Sequence, residues 1–311
     1  MRKTCLNMVY KLAKQDSRII FIGSDLGAGT LEEFKREVPD RFFMEGISEQ
    51  AILGMSAGLA MEGFIPYVNT IASFITRRAF EQIVIDLCLH NLPVRLIGNG
   101  GGLVYGPLGP THQTFEDIAI LRTLPNMAIL APADAHEMKN LMPLTVDLKG
   151  PVYIRLAKGH DPVVTDCIKY YKIGEPVVLK KGKNVLIITT GRTLQMAVEA
   201  AEKLKLNSID VTILHCHTLK PLNTEPILEH LSSHECVITV EEHSVIGGLG
   251  SLISELMIDN KIFKPIKKIA LPDKFIEGYG RQLDLLKKYS IDSDSIISAT
   301  YFLLKDLGVN K

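Results

Sequence analysis

The 311-residue chain has no excess of either charge: 35 Lys and Arg balance 35 Asp and Glu. Without a basic field it is not built to hold a nucleic-acid backbone or an anionic membrane surface. No apolar run exceeds the length of a strand, so no segment reads as a bilayer span. The first residues lead into a helix-like segment with Lys11 and Lys14, not into the uncharged core of a signal peptide. The five cysteines (Cys5, Cys88, Cys167, Cys216, Cys236) are odd in number and form no Cys-x-x-Cys pair. That excludes a disulfide framework and suits reduced thiols in a cytoplasmic protein. Internal repeats and low-complexity tracts are absent too.

Present instead is a folded composition, 46% hydrophobic and 23% charged. At roughly 150 residues per domain the length predicts about two domains. Continuous apolar runs at 18–23, 64–68, 93–98, 127–131 and 152–155 read as strands covered on both faces. Helical patterns at 49–61, 74–90, 115–121 and 134–147 lie between them. A less periodic stretch, 158–184, separates this block from a second one. There, strands at 185–189, 209–214, 236–240 and 266–271 alternate with helices, and a helical tail at 293–305 closes the chain. The expected fold is α/β: two domains, each a mostly parallel sheet covered by helices. Residues 1–165 form the first, 166–184 the linker and 185–311 the second.

Four motifs stand out. Glu49, in Gly46-Ile47-Ser48-Glu49-Gln50, opens a helix after a short strand at 42–44. It reads as a first-turn acid favoured by the helix dipole, with Ser48 as a possible cap. It reads equally as an acid at a strand-to-helix junction, where open α/β sheets hold ligands. A glycine-rich loop runs from Gly98 to His112 and Gln113. Its length suits a functional loop, and no Gly-Lys-Ser/Thr follows to make it a P-loop. His215, Cys216, His217, His230, His234 and Cys236 invite a metal reading, but their spacing matches no zinc module. Finally, Gly247-Gly248-Leu249-Gly250 opens a helix. It allows either tight packing or anion binding, and packing is the plainer reading.

Taken in order, GISEQ with Glu49, FITRRAFEQ (74–82), GPTHQ (109–113), Glu116-Asp117, LPNMAILAPAD (124–134) and TVEEHSVIGGLGS (239–251) form one collinear series. It resembles the pyrimidine-binding and C-terminal domains of the transketolase family of thiamine diphosphate enzymes, above all the C-terminal subunits of split transketolases. More distant in look are 1-deoxyxylulose-5-phosphate synthase and the β subunit of 2-oxoacid dehydrogenases. The resemblance implies that Glu49 hydrogen-bonds the cofactor's aminopyrimidine ring and assists loss of a proton from its thiazolium carbon. A buried carboxyl kept protonated by desolvation suits that work. It also implies that His112 faces substrate oxygens and that an aromatic surface covers the aminopyrimidine. Phe74 is the candidate for that surface, with Ile75 and Phe80 as the competing choices.

The family holds the diphosphate through Mg²⁺ on a Gly-Asp-Gly motif, and this chain contains no Gly-Asp dipeptide. A hard cation among phosphates needs oxygen ligands. The resemblance therefore implies an N-terminal partner subunit that carries them, in an α2β2 assembly, with no metal ligand here. The pattern also departs from full-length relatives. Leu108 stands where they carry Asp, Gly100 where they carry an upstream histidine, and Lys158 where many carry Arg. Lys can meet a phosphate only as a point charge. The expected function is transfer of a two-carbon ketol unit between sugars or sugar phosphates. The alternatives are acyl transfer like that of the two more distant relatives, or a non-catalytic scaffold subunit.

Overall fold

A computed structural model describes residues 1–24, 31–157, 159 and 161–308. The first sheet is built on strands β1 (Ile19–Gly23), β2 (Phe42–Met44), β3 (Ile65–Ile71), β4 (Arg95–Asn99), β5 (Ala128–Leu130) and β6 (Val152–Leu156). The second uses β7 (Val177–Lys180), β8 (Val185–Thr189), β9 (Val211–His215), β11 (Cys236–Ser244) and β12 (Ile266–Leu271), and β10 is Thr218–Lys220. The orders are β10-β5-β6-β4-β3-β1-β2 and β12-β11-β8-β9-β7. Every pairing is parallel except β10 with β5 and β7 with β9. Strands β1, β4, β6, β8 and β9 are buried along their whole length. Helices on both faces require this, and it explains why these strands read as unbroken apolar runs.

Two features lie outside the sequence expectation. The stretch read as a linker supplies β7, which pairs antiparallel with β9. Strand β10 follows β9 of the second sheet yet pairs with β5 of the first. The second unit thereby covers an edge of the first sheet that would otherwise stand unpaired. One apolar cluster joins Ile20, Val68, Leu96 and Ile129 of the first sheet to Leu186, Ile188, Leu214 and Val237 of the second. The 74–90 segment is not one regular helix. Phe74–Arg78 and Ile83–Leu89 are wide π-type turns around a short α-turn, Phe80–Gln82. Such widened turns recur at functional sites.

Among the described residues no helix is long and apolar enough to cross a membrane. All five cysteines are free, four of them buried. Burial pushes the Cys216 thiol up to about 12, so it packs as an inert apolar group.

Candidate functional site

From β1 the chain moves to one side to make β2, then crosses to the other side to make β3. The crevice at the carboxyl ends of β1 and β3 is thus a topological switch point, the usual place for a ligand in an open α/β sheet. Glu49 begins the helix Glu49–Met61 at this crevice and is 4% exposed. Its Oε1 is 3.3 Å from the hydroxyl of Ser24, just after β1, and 3.5 Å from that of Thr70 on β3. Its Oε2 faces Arg78 Nη1 at 3.4 Å. An ion pair therefore replaces the isolated neutral carboxyl that burial alone implied. Ser48 does not cap the helix with its side chain; its hydroxyl donates to the Glu45 carbonyl at 2.8 Å.

The wide turn Phe74–Arg78 brings the next groups. The half-buried Phe74 ring meets the His112 ring edge-to-face at a centroid distance of 5.1 Å. The guanidinium carbon of Arg78 lies 3.7 Å from the Phe74 centroid. Ile75 is wholly buried in the core, and Phe80 packs partly buried against that core. The turn is tied to the His112 loop twice. Ser73 Oγ donates to the Thr111 carbonyl at 3.3 Å, and Arg77 donates to the Gln113 carbonyl at 2.9 Å while pairing with Glu116 at 3.1 Å. His112 is partly exposed, with Nδ1 2.8 Å from Thr111 Oγ1. Its Nε2 is the ring nitrogen left to meet a ligand.

The base of the loop is clamped where Gly102 and Thr114 exchange backbone hydrogen bonds. Beneath it, Arg155 donates to Asp117 at 2.7 Å, to the Thr114 carbonyl at 3.1 Å and to the Glu242 carbonyl at 3.0 Å. Tyr153 donates to Asp117 as well, at 2.7 Å. Burial by itself would raise the Asp117 carboxyl, but Arg155 and His243 hold it below its ordinary value. Glu242 accepts from the Leu103 N–H at 2.7 Å and from Gln282, and burial raises its carboxyl. Residues of the second sheet thus fix the loop that carries His112.

Gly100 and Leu108 both belong to this loop. Gly100 is buried with φ +77°, and Leu108 is 51% exposed on a short 3₁₀ turn. Lys158 lies outside the described residues. Sequence reasoning assigned no role to Arg78, Tyr105, Ser24 or Thr70. Arg78 stood inside the FITRRAFEQ motif, and its side chain in a turn that also carries Phe74 was the available signal.

The remaining motifs resolve into structural contacts. Glu241 accepts from the N–H groups of Leu249 and Gly250, both at 2.7 Å. A carboxylate of the chain itself therefore takes the anion position at that helix start. His215 is bonded to Glu137 and Thr189, both at 3.0 Å, and His234 to Thr212 at 2.7 Å. Among the described residues no three His, Cys, Asp or Glu side chains are grouped to hold a metal ion.

Residues 1–162 match the pattern described as "Transketolase, pyrimidine binding domain", and 174–296 match "Transketolase, C-terminal domain". The chain belongs to the transketolase family. It is 34% identical over 306 residues to one of the subunits of the apulose-4-phosphate transketolase of Phocaeicola vulgatus, covering 98% of this chain and 97% of that one. It is 38% identical over 288 residues to 1-deoxy-D-xylulose-5-phosphate synthase of Caldanaerobacter subterraneus subsp. tengcongensis. That match covers 92% of this chain but 46% of the relative, so the chain spans about half the length of such synthases. A solved structure titled "Split gene transketolase, inactive beta4 tetramer" superposes with a TM-score of 0.88 at 33% identity, covering 98% and 97% of the two chains. The family is of transferase type and depends on thiamine diphosphate.

Proposed function

We propose that this chain forms the aminopyrimidine side of a thiamine diphosphate site in a split transketolase. The enzyme moves a two-carbon ketol unit between sugars or sugar phosphates. A partner chain supplies the diphosphate-binding half and the Mg²⁺ ligands, in an α2β2 assembly. The reading rests on one observation above all: Glu49, Phe74 and His112 meet at the switch point of the first sheet. It draws support from the near end-to-end match with one subunit of a two-chain relative, the apulose-4-phosphate transketolase. The 311 residues contain no Gly-Asp dipeptide, so the oxygen ligands of a Gly-Asp-Gly motif must come from outside them.

The residues present fit the cofactor's aminopyrimidine. The crevice offers a buried carboxyl and, beside it, an aromatic face that already carries a flat nitrogen-rich group, the Arg78 guanidinium. When bound, thiamine diphosphate supplies the nucleophilic carbon for breaking and forming the bond beside a ketose carbonyl. Glu49 hydrogen-bonds the ring nitrogen and moves a proton there. Ser24 and Thr70 steady its other oxygen. Phe74 gives the ring an apolar face. His112, oriented through Thr111, presents Nε2 to substrate oxygens. Lys158 contacts the substrate's phosphate as a point charge, and Leu108 lines the donor side.

Product analysis of the reconstituted complex tests the reading. Ketose phosphate plus an aldose acceptor should give a two-carbon transfer product. The 38% identity to 1-deoxy-D-xylulose-5-phosphate synthase favours a second reading, acyl transfer from a 2-oxoacid. Turnover of pyruvate with an aldehyde, and none of a ketose donor, would establish that instead. Lys158→Ala should raise KM for the phosphorylated form of a ketose and spare the unphosphorylated form.

A further inference from the structure

Arg78 makes two contacts, and both are with groups assigned above to the cofactor. Its guanidinium carbon stands 3.7 Å from the Phe74 ring centroid, and its Nη1 is 3.4 Å from Glu49 Oε2. A guanidinium is planar, delocalised, weakly hydrated and edged with N–H donors; it stacks on aromatic faces and pairs with carboxylates. An aminopyrimidine makes the same two demands, an aromatic face and a carboxyl oxygen beside it. One face of Phe74 cannot hold both groups.

We propose that Arg78 is an internal stand-in for the aminopyrimidine: it closes the subsite in the unloaded chain, and the cofactor must displace it. The claim rests on the reading that Glu49 and Phe74 receive that ring. Two further observations support it. Glu49 is 4% exposed, and a buried carboxylate without a partner is costly, so the guanidinium steadies the empty site. The Arg78 side chain is itself 48% exposed at the end of the wide turn Phe74–Arg78, so it can swing into solvent without disturbing the core. Its affinity for Glu49 and Phe74 is thus subtracted from the affinity of the cofactor for the same two groups.

The test is calorimetric titration of thiamine diphosphate, with Mg²⁺ in excess, into the reconstituted complex. Arg78→Met keeps much of the stem and removes the planar cation. It should tighten cofactor binding about five- to tenfold, with Arg78→Lys falling between it and the wild type, because an ammonium keeps the charge but cannot stack as a plate. The cofactor-free chain carrying Arg78→Met should melt at a lower temperature, since Glu49 loses its partner. A dissociation constant that is unchanged or weaker in Arg78→Met overturns the proposal. Adding Glu49→Ala to Arg78→Met checks the underlying assignment separately. With the latch already gone, the second change should weaken binding at least tenfold. If it does not, Glu49 does not hold the cofactor, and the stand-in role falls with that assignment.

Discussion

Tyr105 lies against the α-carbon of Gly100, so close that a β-carbon there would fall 2.1 Å from the ring. The same ring approaches His112 edge-on at 6.4 Å. Tyr105 thus fills the space that a side chain at position 100 would need, next to the histidine proposed to meet the substrate. Where relatives place a histidine on the backbone at this position, this chain delivers an aromatic ring from five residues further on.

Gly100→Ala should therefore destabilise the chain by about 1–3 kcal/mol through overcrowding, with a further contribution from the positive φ. Combining it with Tyr105→Ala should recover the crowding part and leave the backbone part. Urea denaturation of the two single variants and the double variant gives the coupling directly.

Glu49→Gln should leave the fold near wild type and lower turnover of the assembled enzyme roughly 10²–10⁴-fold, the usual range for loss of a proton-transfer group. The amide keeps the shape of the side chain and the exposed Arg78 can reach water, so the melting temperature should move little. Steady-state rates and a thermal melt on the same preparation check both halves.

Asp117→Asn should destabilise strongly, by about 3–5 kcal/mol, because it leaves the Arg155 guanidinium buried without its counter-charge. Arg155 also holds the Thr114 carbonyl at the base of the His112 loop. The variant should accordingly show faster backbone hydrogen exchange at 103–114 than elsewhere in the first sheet.

His217 is wholly buried, and burial pushes its imidazole down to about 4, with Glu137 and His215 as smaller influences. The unfolded chain takes up a proton near pH 6.5 that the folded chain refuses until about pH 4. Folding stability should thus be complete above pH 6.5 and fall as the pH drops towards 4, by up to on the order of 3 kcal/mol. His217→Gln should flatten this limb. Denaturant midpoints at several pH values for the two proteins provide the comparison.

Leu108→Asp should sharpen selection for a donor hydroxyl. An apolar side chain cannot hydrogen-bond that group, whereas a carboxylate rewards it by about tenfold or more. Values of kcat/KM for a ketose and its deoxy counterpart measure the change. An unaltered ratio would remove Leu108 from the donor side.

The alternation of strands and helices was legible because parallel strands covered on both faces must be apolar throughout; Ile19–Gly23 and Val185–Thr189 could hardly be written otherwise. The order of the motifs around Glu49 and His112 was legible as well, since a collinear series needs no coordinates. Several other features were not. Strand β10 has three residues and takes its place from a partner strand, β5, about ninety positions earlier, which no local pattern can encode. The widened turns at 74–78 and 83–89 depend on a small change in backbone register that helical periodicity does not register. Sequence by itself determined the family, the two α/β units and the chemical kinds of the candidate site residues, because these follow from local pattern and residue type. The tertiary structure alone decided that Arg78 rests on Phe74 and Glu49, that Tyr105 covers Gly100, and that Glu242 of the second sheet anchors the loop of the first. Those are contacts between distant segments, set by how two sheets pack and by where a buried charge finds its partner.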